Sequence, residues 1–161
     1  MKTRNDVFTA RRSARPHWMM VDDGLDILLL TPVLLATWCD ADIEYYRSPR
    51  DALSAFQSAT GSYELVITDL EMPGMSGIEL GRRLRALKPK TKILLTSSSE
   101  ILTEAEARGM GFCGLLHKPF STARLAGCLR SAGVGNISTD ISVGTSVLTP
   151  AQGALGQVAS K

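Results

Sequence analysis

The sequence is poor in cysteine, and the few cysteines present argue against a disulfide scaffold and against a zinc site. Cys39, Cys113 and Cys128 are the three cysteines of the chain, at wide spacings and without a C-x-x-C pair. Such an odd, scattered set does not fit a disulfide scaffold or a zinc site, and it fits a reduced cytosolic protein better. We expect these residues to be small core side chains.

The sequence also lacks a long uninterrupted apolar segment. The apolar run ILLLTPVLLATW, residues 27 to 38, is shorter than a membrane-spanning helix and contains Pro32 in its middle. Asp22, Asp23 and Asp26 stand where a signal peptide needs a positive flank. We therefore expect a soluble, cytoplasmic protein with no membrane partner, in which Pro32 kinks or shortens the helix after the first strand.

An excess of charge of one sign is also missing. Eighteen basic and sixteen acidic residues give a formal net charge of +2, which does not indicate a nucleic-acid or membrane partner. Residues 1 to 16 carry five basic side chains against Asp6 alone. We interpret them as a flexible basic arm, the only basis for a nucleic-acid role, and expect no direct nucleic-acid binding.

The middle of the chain alternates short apolar runs with longer helical stretches. With 161 residues, 44% of them hydrophobic, the chain is long enough for one domain with one core. The strand candidates are HWMMV (17 to 21), IEYY (43 to 46), LVIT (65 to 68), KILLT (92 to 96) and GLLH (114 to 117). This alternation predicts an α/β fold with a mostly parallel sheet covered by helices on both faces.

Three helices have legible patterns. Ser48 and Pro49 mark the start of a helix over 48 to 56, and Gly133 marks the end of one over 121 to 133. A third, about 76 to 88, has an apolar face and a basic face. We expect Leu80, Leu84 and Leu87 on the buried face and Arg82, Arg83 and Arg85 turned outward.

After Gly133 the composition shifts to Ser, Thr, Gly, Ala and Val, without an aromatic residue. Such a segment does not bury a core of its own, so residues 133 to 161 are predicted to be a flexible tail. The expected organisation is a basic arm (1 to 16), one domain (17 to 132) and this tail.

Five polar residues follow or end the predicted strands. Asp22 and Asp23 follow the first strand, Asp69 the third and Lys118 the fifth, while Thr96 ends the fourth. Because ligands of open parallel sheets bind beyond the carboxyl ends of the strands, we expect these side chains to share one site. Each has a structural alternative, as a turn residue, a helix cap, a strand residue or a surface lysine, but the coincidence of all five favours a site.

Three clustered carboxylates repel one another unless a cation neutralises them. A hard, oxygen-seeking divalent ion is indicated, and Mg²⁺ fits best because it takes one or two carboxylates and is completed by waters and phosphate oxygens. A carboxylate in such a site can attack a phosphoryl group and form an aspartyl phosphate. Lys118 would then contact the phosphoryl oxygens, and the Thr96 hydroxyl would donate a hydrogen bond to them.

The motifs MMVDDG, VITDLEMPGMSG, ILLTSS and LLHKPF, in this order and at these intervals, resemble the receiver domain of bacterial two-component response regulators over about residues 17 to 132. The resemblance implies a flavodoxin-like, doubly wound, five-stranded parallel sheet. It also implies that Asp69 accepts a phosphoryl group from a phosphohistidine on a sensor histidine kinase or phosphotransfer protein. Thr96 would be the switch hydroxyl and Lys118 the phosphoryl-binding cation, followed by Pro119 in a peptide bond that is often cis in this family.

The same resemblance implies a magnesium site. Asp23 would bind Mg²⁺ directly and Asp22 through water or as a shared acid, beside Asp69 itself. The backbone carbonyl of Glu71 would complete the protein ligands. Gly77 would stand where the following helix starts.

The sequence departs from the family pattern at Leu115, where receivers usually carry Tyr or Phe. This leucine motivates an alternative: a pseudo-receiver that acts as a protein-interaction scaffold without phosphorylation. A phosphatase of similar chemistry is disfavoured because no residue is placed as a distinct acid, so the chain is not expected to be an enzyme beyond its own phosphorylation and dephosphorylation. Glu71 and Ser98 hold positions that modulate phosphoryl lifetime in the family, and His117 is interpreted as a strand-end residue.

The segment after residue 133 is too short for a DNA-binding, cyclase or phosphodiesterase domain. We therefore expect a stand-alone receiver that signals through protein contacts or passes its phosphoryl group along a relay. The predicted contact face spans about residues 100 to 130, with Arg108, Arg124 and Arg130 as candidates for binding a downstream protein. Homodimer formation is left open.

Overall fold

The computed structural model describes residues 15–24 and 41–134. Within these residues, five strands and four helices alternate along the chain. The strands are β1 (His17–Val21), β2 (Asp42–Tyr46), β3 (Leu65–Asp69), β4 (Lys92–Ser97) and β5 (Gly114–His117). The helices are α1 (Pro49–Ser58), α2 (Gly77–Leu87), α3 (Glu104–Gly109) and α4 (Thr122–Ser131).

All five strands are parallel, in the order β2-β1-β3-β4-β5. The strand order reverses beside β1, which places a ligand-binding crevice between the carboxyl ends of β1 and β3. The predicted flavodoxin-like, doubly wound sheet is confirmed. The predicted strands match the observed ones, except that β2 begins one residue earlier and β3 and β4 end one residue later.

Alternate strand residues pack into two apolar clusters on opposite faces of the sheet. One joins Val21, Val66, Leu95 and Leu115 to buried side chains of α1, α2 and α3. The other joins Trp18, Met20, Ile67, Leu94 and Leu116 to Leu125 and Leu129 of α4. The expected helical cover on both faces is therefore present, and the sheet is held rigidly between two apolar layers.

A serine or threonine caps the start of each described helix. The hydroxyl oxygen of Ser48 accepts a hydrogen bond from the Asp51 N–H at 3.3 Å, and Pro49 takes the first helical position. Ser76, Thr103 and Ser121 cap the other three helices in the same way. Gly133 has a φ of 62° just past α4, so the predicted glycine stop is also confirmed.

The expected buried face of α2 is partly wrong. Leu80 and Leu84 are fully buried, but Leu87 is 47% exposed. Leu87 is the last residue of α2. The helical period places Leu87 on the same face of α2 as Leu80 and Leu84. Because α2 ends at Leu87, no described residue covers the exposed part of this side chain.

The expected outward face of α2 is wrong at Arg85. Arg82 and Arg83 are exposed, but the Arg85 side chain is half-buried. Its guanidinium donates a hydrogen bond to the Met110 carbonyl at 2.6 Å and lies 5.1 Å from the centre of the Phe112 ring. Packing between α2 and the end of α3 therefore overrides the helical pattern.

Cys113 and Cys128 are free thiols that pack half-buried at the border of the second cluster. Burial raises the pKa of the Cys113 thiol to about 11. Cys39, Pro32, residues 1–14 of the predicted arm and residues 135–161 of the predicted tail lie outside the described residues. No helix in the described part of the chain has the length and apolarity needed to cross a membrane.

Candidate acidic site at the carboxyl edge of the sheet

The five polar residues singled out in the sequence lie at the carboxyl edge of the sheet. Asp22 and Asp23 follow β1, Asp69 is the last residue of β3, and Lys118 follows β5. Thr96 is the β4 residue paired in register with Asp69. Parallel pairing brings the ends of β1, β3 and β4 side by side, so the strand register itself assembles the site.

Three carboxylates form a compact group at this edge. One ligand oxygen from each of Asp22, Asp23 and Asp69 lies within 4.8 Å of the others. Asp22 and Asp69 are buried, with 1% and 6% of their surface exposed, and Asp23 is half-buried. An all-oxygen donor set of this charge suits a hard divalent cation. The Glu71 carboxylate is not part of this group among the described residues. It accepts a hydrogen bond from the Ser99 hydroxyl.

Lys118 reaches two of the three carboxylates. Its ammonium donates a hydrogen bond to Asp22 Oδ2 at 2.7 Å. The same Nζ lies 2.9 Å from Asp69 Oδ1, an ion pair without hydrogen-bond alignment, so Oδ1 is a buried acceptor that lacks a hydrogen-bond partner among the described residues. One ammonium neutralises one of three negative charges, which leaves the site short of positive charge.

Burial and charge act in opposite directions on these groups. Burial raises the pKa of Asp69, and the nearby Lys118 ammonium opposes this only in part. Burial alone would lower the pKa of Lys118, but the hydrogen bond to Asp22 and the attraction of the Asp22 and Asp69 carboxylates outweigh it and raise the pKa. Lys118 is therefore a fixed positive charge at neutral pH.

Thr96 supplies a second buried polar atom without a hydrogen-bond partner within the described residues, next to Asp69 at the carboxyl edge of the sheet. The residue is 1% exposed, and its Oγ1 has no hydrogen-bond partner in the described chain. Its backbone carbonyl accepts a hydrogen bond from the Leu70 N–H at 2.7 Å, which ties the end of β4 to the residue after Asp69. Because a buried hydroxyl without a partner is costly, its presence beside Asp69 points to a ligand with acceptor oxygens.

Asp22 is held from two sides. Its Oδ1 accepts a hydrogen bond from the Gly24 N–H at 2.9 Å, and its Oδ2 accepts the one from Lys118. Both oxygens therefore have protein partners. The Lys118–Pro119 peptide bond that follows β5 is cis.

One residue that sequence reasoning passed over, Ser99, borders this site. Ser99, in the loop after β4, donates to Glu71, and its carbonyl lies 3.1 Å from His117 Nδ1. The Ser99 and Glu71 positions are 28 residues apart in the chain. No local pattern marks Ser99, so only the register of β3 against β4 reveals the pairing.

The comparisons agree with this geometry. The family model described as response regulator receiver domain matches residues 19–130. FixJ, a transcriptional regulatory protein of Bradyrhizobium diazoefficiens, is 35% identical over 72 residues, which cover 44% of this chain and 35% of that protein. The C4-dicarboxylate transport transcriptional regulatory protein DctD of Rhizobium meliloti is 30% identical over 121 residues, or 74% of this chain and 26% of that protein. The chain thus matches only about a third or less of the length of these relatives.

Solved structures show the same fold. A signal receiver domain of an HD domain-containing protein from Pseudomonas fluorescens Pf-5 has a TM-score of 0.65 and 28% identity, covering 73% of this chain and 94% of that one. The chemotaxis protein CheY4 of Vibrio cholerae has a TM-score of 0.64 and 26% identity, covering 74% of this chain and 99% of that one. The similarity therefore spans nearly the whole of each of these receiver structures.

Proposed function

The chain belongs to the response regulator receiver domain family, and from that premise we propose that Asp69 accepts a phosphoryl group from a phosphohistidine of a sensor histidine kinase or phosphotransfer protein. One observation carries the proposal. Asp69 Oδ1 is a buried acceptor without a hydrogen bond, 2.9 Å from Lys118 Nζ, in register with a threonine whose hydroxyl is also unpaired. A phosphoryl group on Asp69 would give both the ammonium and the hydroxyl an oxygen partner.

The transfer is a displacement at phosphorus. A carboxylate oxygen of Asp69 attacks the phosphorus atom, and the bond from phosphorus to the imidazole nitrogen of the donor breaks, leaving its electron pair on that nitrogen. The product is an acyl phosphate on Asp69. Lys118 stabilises negative charge on the transferred oxygens, and the Thr96 hydroxyl donates one hydrogen bond to them. The chain acts on itself alone, as a signalling domain.

The donor set fits Mg²⁺ as the cation of this reaction. Asp23 and Asp69, with the Glu71 backbone carbonyl, would hold it, and Asp22 would contribute through water because Gly24 and Lys118 already occupy both of its oxygens. When bound, Mg²⁺ supplies positive charge to the phosphoryl oxygens. The Lys118 ammonium contacts both the Asp22 and the Asp69 carboxylate, so the lysine and the metal ion compete for these oxygens.

A pseudo-receiver scaffold is the second candidate, and Leu115 is the observation that favours it. Leu115 is 0% exposed and packs within the core cluster on the α1–α3 face of the sheet. A leucine fixed there supplies no aromatic ring whose rotation could report on Asp69. The buried acidic and lysine cluster favours the phosphoacceptor over this alternative.

We place the output surface on residues 100 to 130, which comprise α3, β5 and most of α4. Arg124 and Arg130 are exposed on α4, whereas Arg108 is already paired with Glu104 at 2.8 Å on α3. Ile101, in the loop after β4, is 85% exposed. Arg124, Arg130 and Ile101 therefore fit a downstream protein partner better than Arg108 does.

Incubation with acetyl phosphate and Mg²⁺ tests the proposal. Intact mass should show a single phosphoryl adduct that requires Mg²⁺ and is absent from Asp69→Asn. A folded wild-type chain that binds Mg²⁺ but forms no adduct would reject the phosphoacceptor function in favour of the pseudo-receiver scaffold.

A further inference from the structure

Ser99 connects the two loops that border Asp69 and Thr96. It is the third residue after Thr96, and its hydroxyl donates a hydrogen bond to the carboxylate of Glu71, the second residue after Asp69. Since Asp69 and Thr96 are register partners, this bond closes the gap between the loops just beyond the paired strand ends. Glu71 is exposed and Ser99 half-buried, so the bond lies at the rim of the site.

The backbone carbonyl of Ser99 is anchored separately. It accepts a hydrogen bond from the Ser97 hydroxyl at 2.9 Å and lies 3.1 Å from His117 Nδ1. Because a carbonyl oxygen only accepts hydrogen bonds, His117 Nδ1 must carry the proton in this contact. His117 immediately precedes Lys118, so the loop after β4 is tied both to the loop after β3 and to the strand that presents the site's lysine.

The neighbouring serine makes a useful contrast. Ser98 is exposed, while Ser99 is half-buried and engages both its hydroxyl and its carbonyl. The family resemblance implies that the Ser98 position modulates phosphoryl lifetime. The contacts instead single out Ser99.

We propose that Ser99 is a positioning residue that slows loss of the phosphoryl group from Asp69. This inference rests on the proposed function. Loss is a hydrolysis: a water oxygen attacks phosphorus, the bond from phosphorus to the Asp69 oxygen breaks with its electron pair returning to the carboxylate, and inorganic phosphate leaves after water gives up a proton to solvent. Ser99 acts by holding the two loops together, which restricts the positions from which water can attack in line.

The decay of the adduct tests this role. After phosphorylation with acetyl phosphate and removal of the reagent, intact mass follows loss of the phosphoryl group with time. Ser99→Ala should decay about fivefold faster than the wild type, a factor in keeping with the loss of one ordinary hydrogen bond. Ser99→Thr retains the hydroxyl and should decay at the wild-type rate, as should Ser62→Ala, an exposed serine that precedes β3.

Two further measurements separate positioning from a general loss of structure. Ser99→Ala should add no acceleration in a Glu71→Ala background, because both changes remove the same bond. Backbone hydrogen exchange at residues 97–102 of the unphosphorylated protein should rise in Ser99→Ala and not in Ser99→Thr.

Three outcomes would overturn the inference. Equal decay of Ser99→Ala and wild type would do so, as would acceleration by Ser98→Ala with Ser99→Ala unchanged. A wild-type chain that forms no adduct would reject the proposed function and this inference together, whereas the first two results would leave the phosphoacceptor role of Asp69 standing.

Discussion

A Cβ atom placed on Gly77 would lie 2.2 Å from the backbone carbonyl oxygen of Asp69. Gly77 is the first residue of α2, and its N–H donates a hydrogen bond to the Leu70 carbonyl at 3.0 Å. The start of α2 therefore rests directly on the backbone of the proposed nucleophile. Close approach, and not an unusual φ, requires glycine here, because Gly77 has no positive φ.

Replacement of Gly77 by alanine should damage both stability and the site. The added methyl group must push α2 away from β3, an overpacking that costs about 1 to 3 kcal/mol of unfolding free energy. The same displacement should move Asp69 from Lys118 and slow adduct formation from acetyl phosphate. Urea unfolding and the time course of the adduct by intact mass measure the two effects.

Gly61→Ala provides the matched control for this change. Gly61 has no atom within 4 Å of its added Cβ and no positive φ. We expect that variant to unfold at the wild-type urea concentration or slightly above it. Identical unfolding midpoints for Gly77→Ala and Gly61→Ala would show that the contact with Asp69 carries no strain.

The strands were predictable because each is a short apolar run bounded by turn or charged residues. The errors fall at polar ends: Asp42, Asp69 and Ser97 belong to strands although their side chains resemble those of loops. A strand ends where its backbone hydrogen bonds end, and these bonds do not depend on the polarity of the side chains. The site could be predicted for a related reason, since a parallel sheet gathers whatever polar residues end or follow its strands at one edge.

Contacts between segments that are distant along the chain could not be predicted. Arg85 follows the pattern of an exposed residue, yet it binds a carbonyl 25 residues further along the chain. Ser99 meets Glu71 across 28 residues. Each contact involves an irregular segment, either the residues after α3 or the loop after β4, and helical or strand periodicity carries no information about how such a segment lies against its neighbours.

Replacement of Lys118 by methionine should affect stability and metal affinity in opposite directions. The Asp22 side chain is 2% exposed and would lose its ammonium partner, which costs about 3 kcal/mol when Mg²⁺ is absent. Removal of a competing cation should strengthen Mg²⁺ binding several-fold, while adduct formation should slow because the phosphoryl oxygens lose a positive charge. Calorimetric Mg²⁺ titration, urea unfolding and intact mass measure these quantities.

Lys90→Met is the control for the loss of one positive charge, since Lys90 is exposed in the turn before β4. It should leave Mg²⁺ affinity and adduct formation unchanged. Weaker Mg²⁺ binding in Lys118→Met would show that the lysine organises the metal site and does not compete with the cation.

Leu115→Ala should be strongly destabilising. Leu115 is fully buried among side chains from both the sheet and the helices, so truncation leaves a cavity and costs about 2 to 5 kcal/mol. Leu115→Met keeps most of the volume and should cost less than about 1.5 kcal/mol. Urea unfolding compares the two variants. Similar losses of unfolding free energy would mean that the stability at position 115 does not depend on filling the volume of the leucine side chain.

A second polar cluster lies on the edge strand β2, away from the acidic site. Glu44 accepts hydrogen bonds from the Tyr46 hydroxyl at 2.6 Å and the Tyr63 hydroxyl at 2.8 Å, and its other oxygen lies 2.9 Å from His17 Nε2. The hydrogen bonds from Tyr46 and Tyr63, followed by the contact with His17, lower the pKa of Glu44 below its usual 4.5. The ionised carboxylate is therefore the form that the folded protein favours.

Glu44→Gln should reveal this preference as a dependence of stability on pH. Because the pKa of Glu44 is lower in the folded than in the unfolded chain, the unfolded chain binds more protons, and the stabilisation is fully present above pH 4.5 and lost as the pH falls through the folded pKa. The wild type should therefore exceed Glu44→Gln in unfolding free energy at pH 7, and the difference should shrink at the acid end of a pH series of urea unfolding experiments. Glu100→Gln, at an exposed glutamate, should show no such convergence. A difference between wild type and Glu44→Gln that stays constant down to the acid limit would mean that Glu44 stabilises β2 through packing and not through its charge.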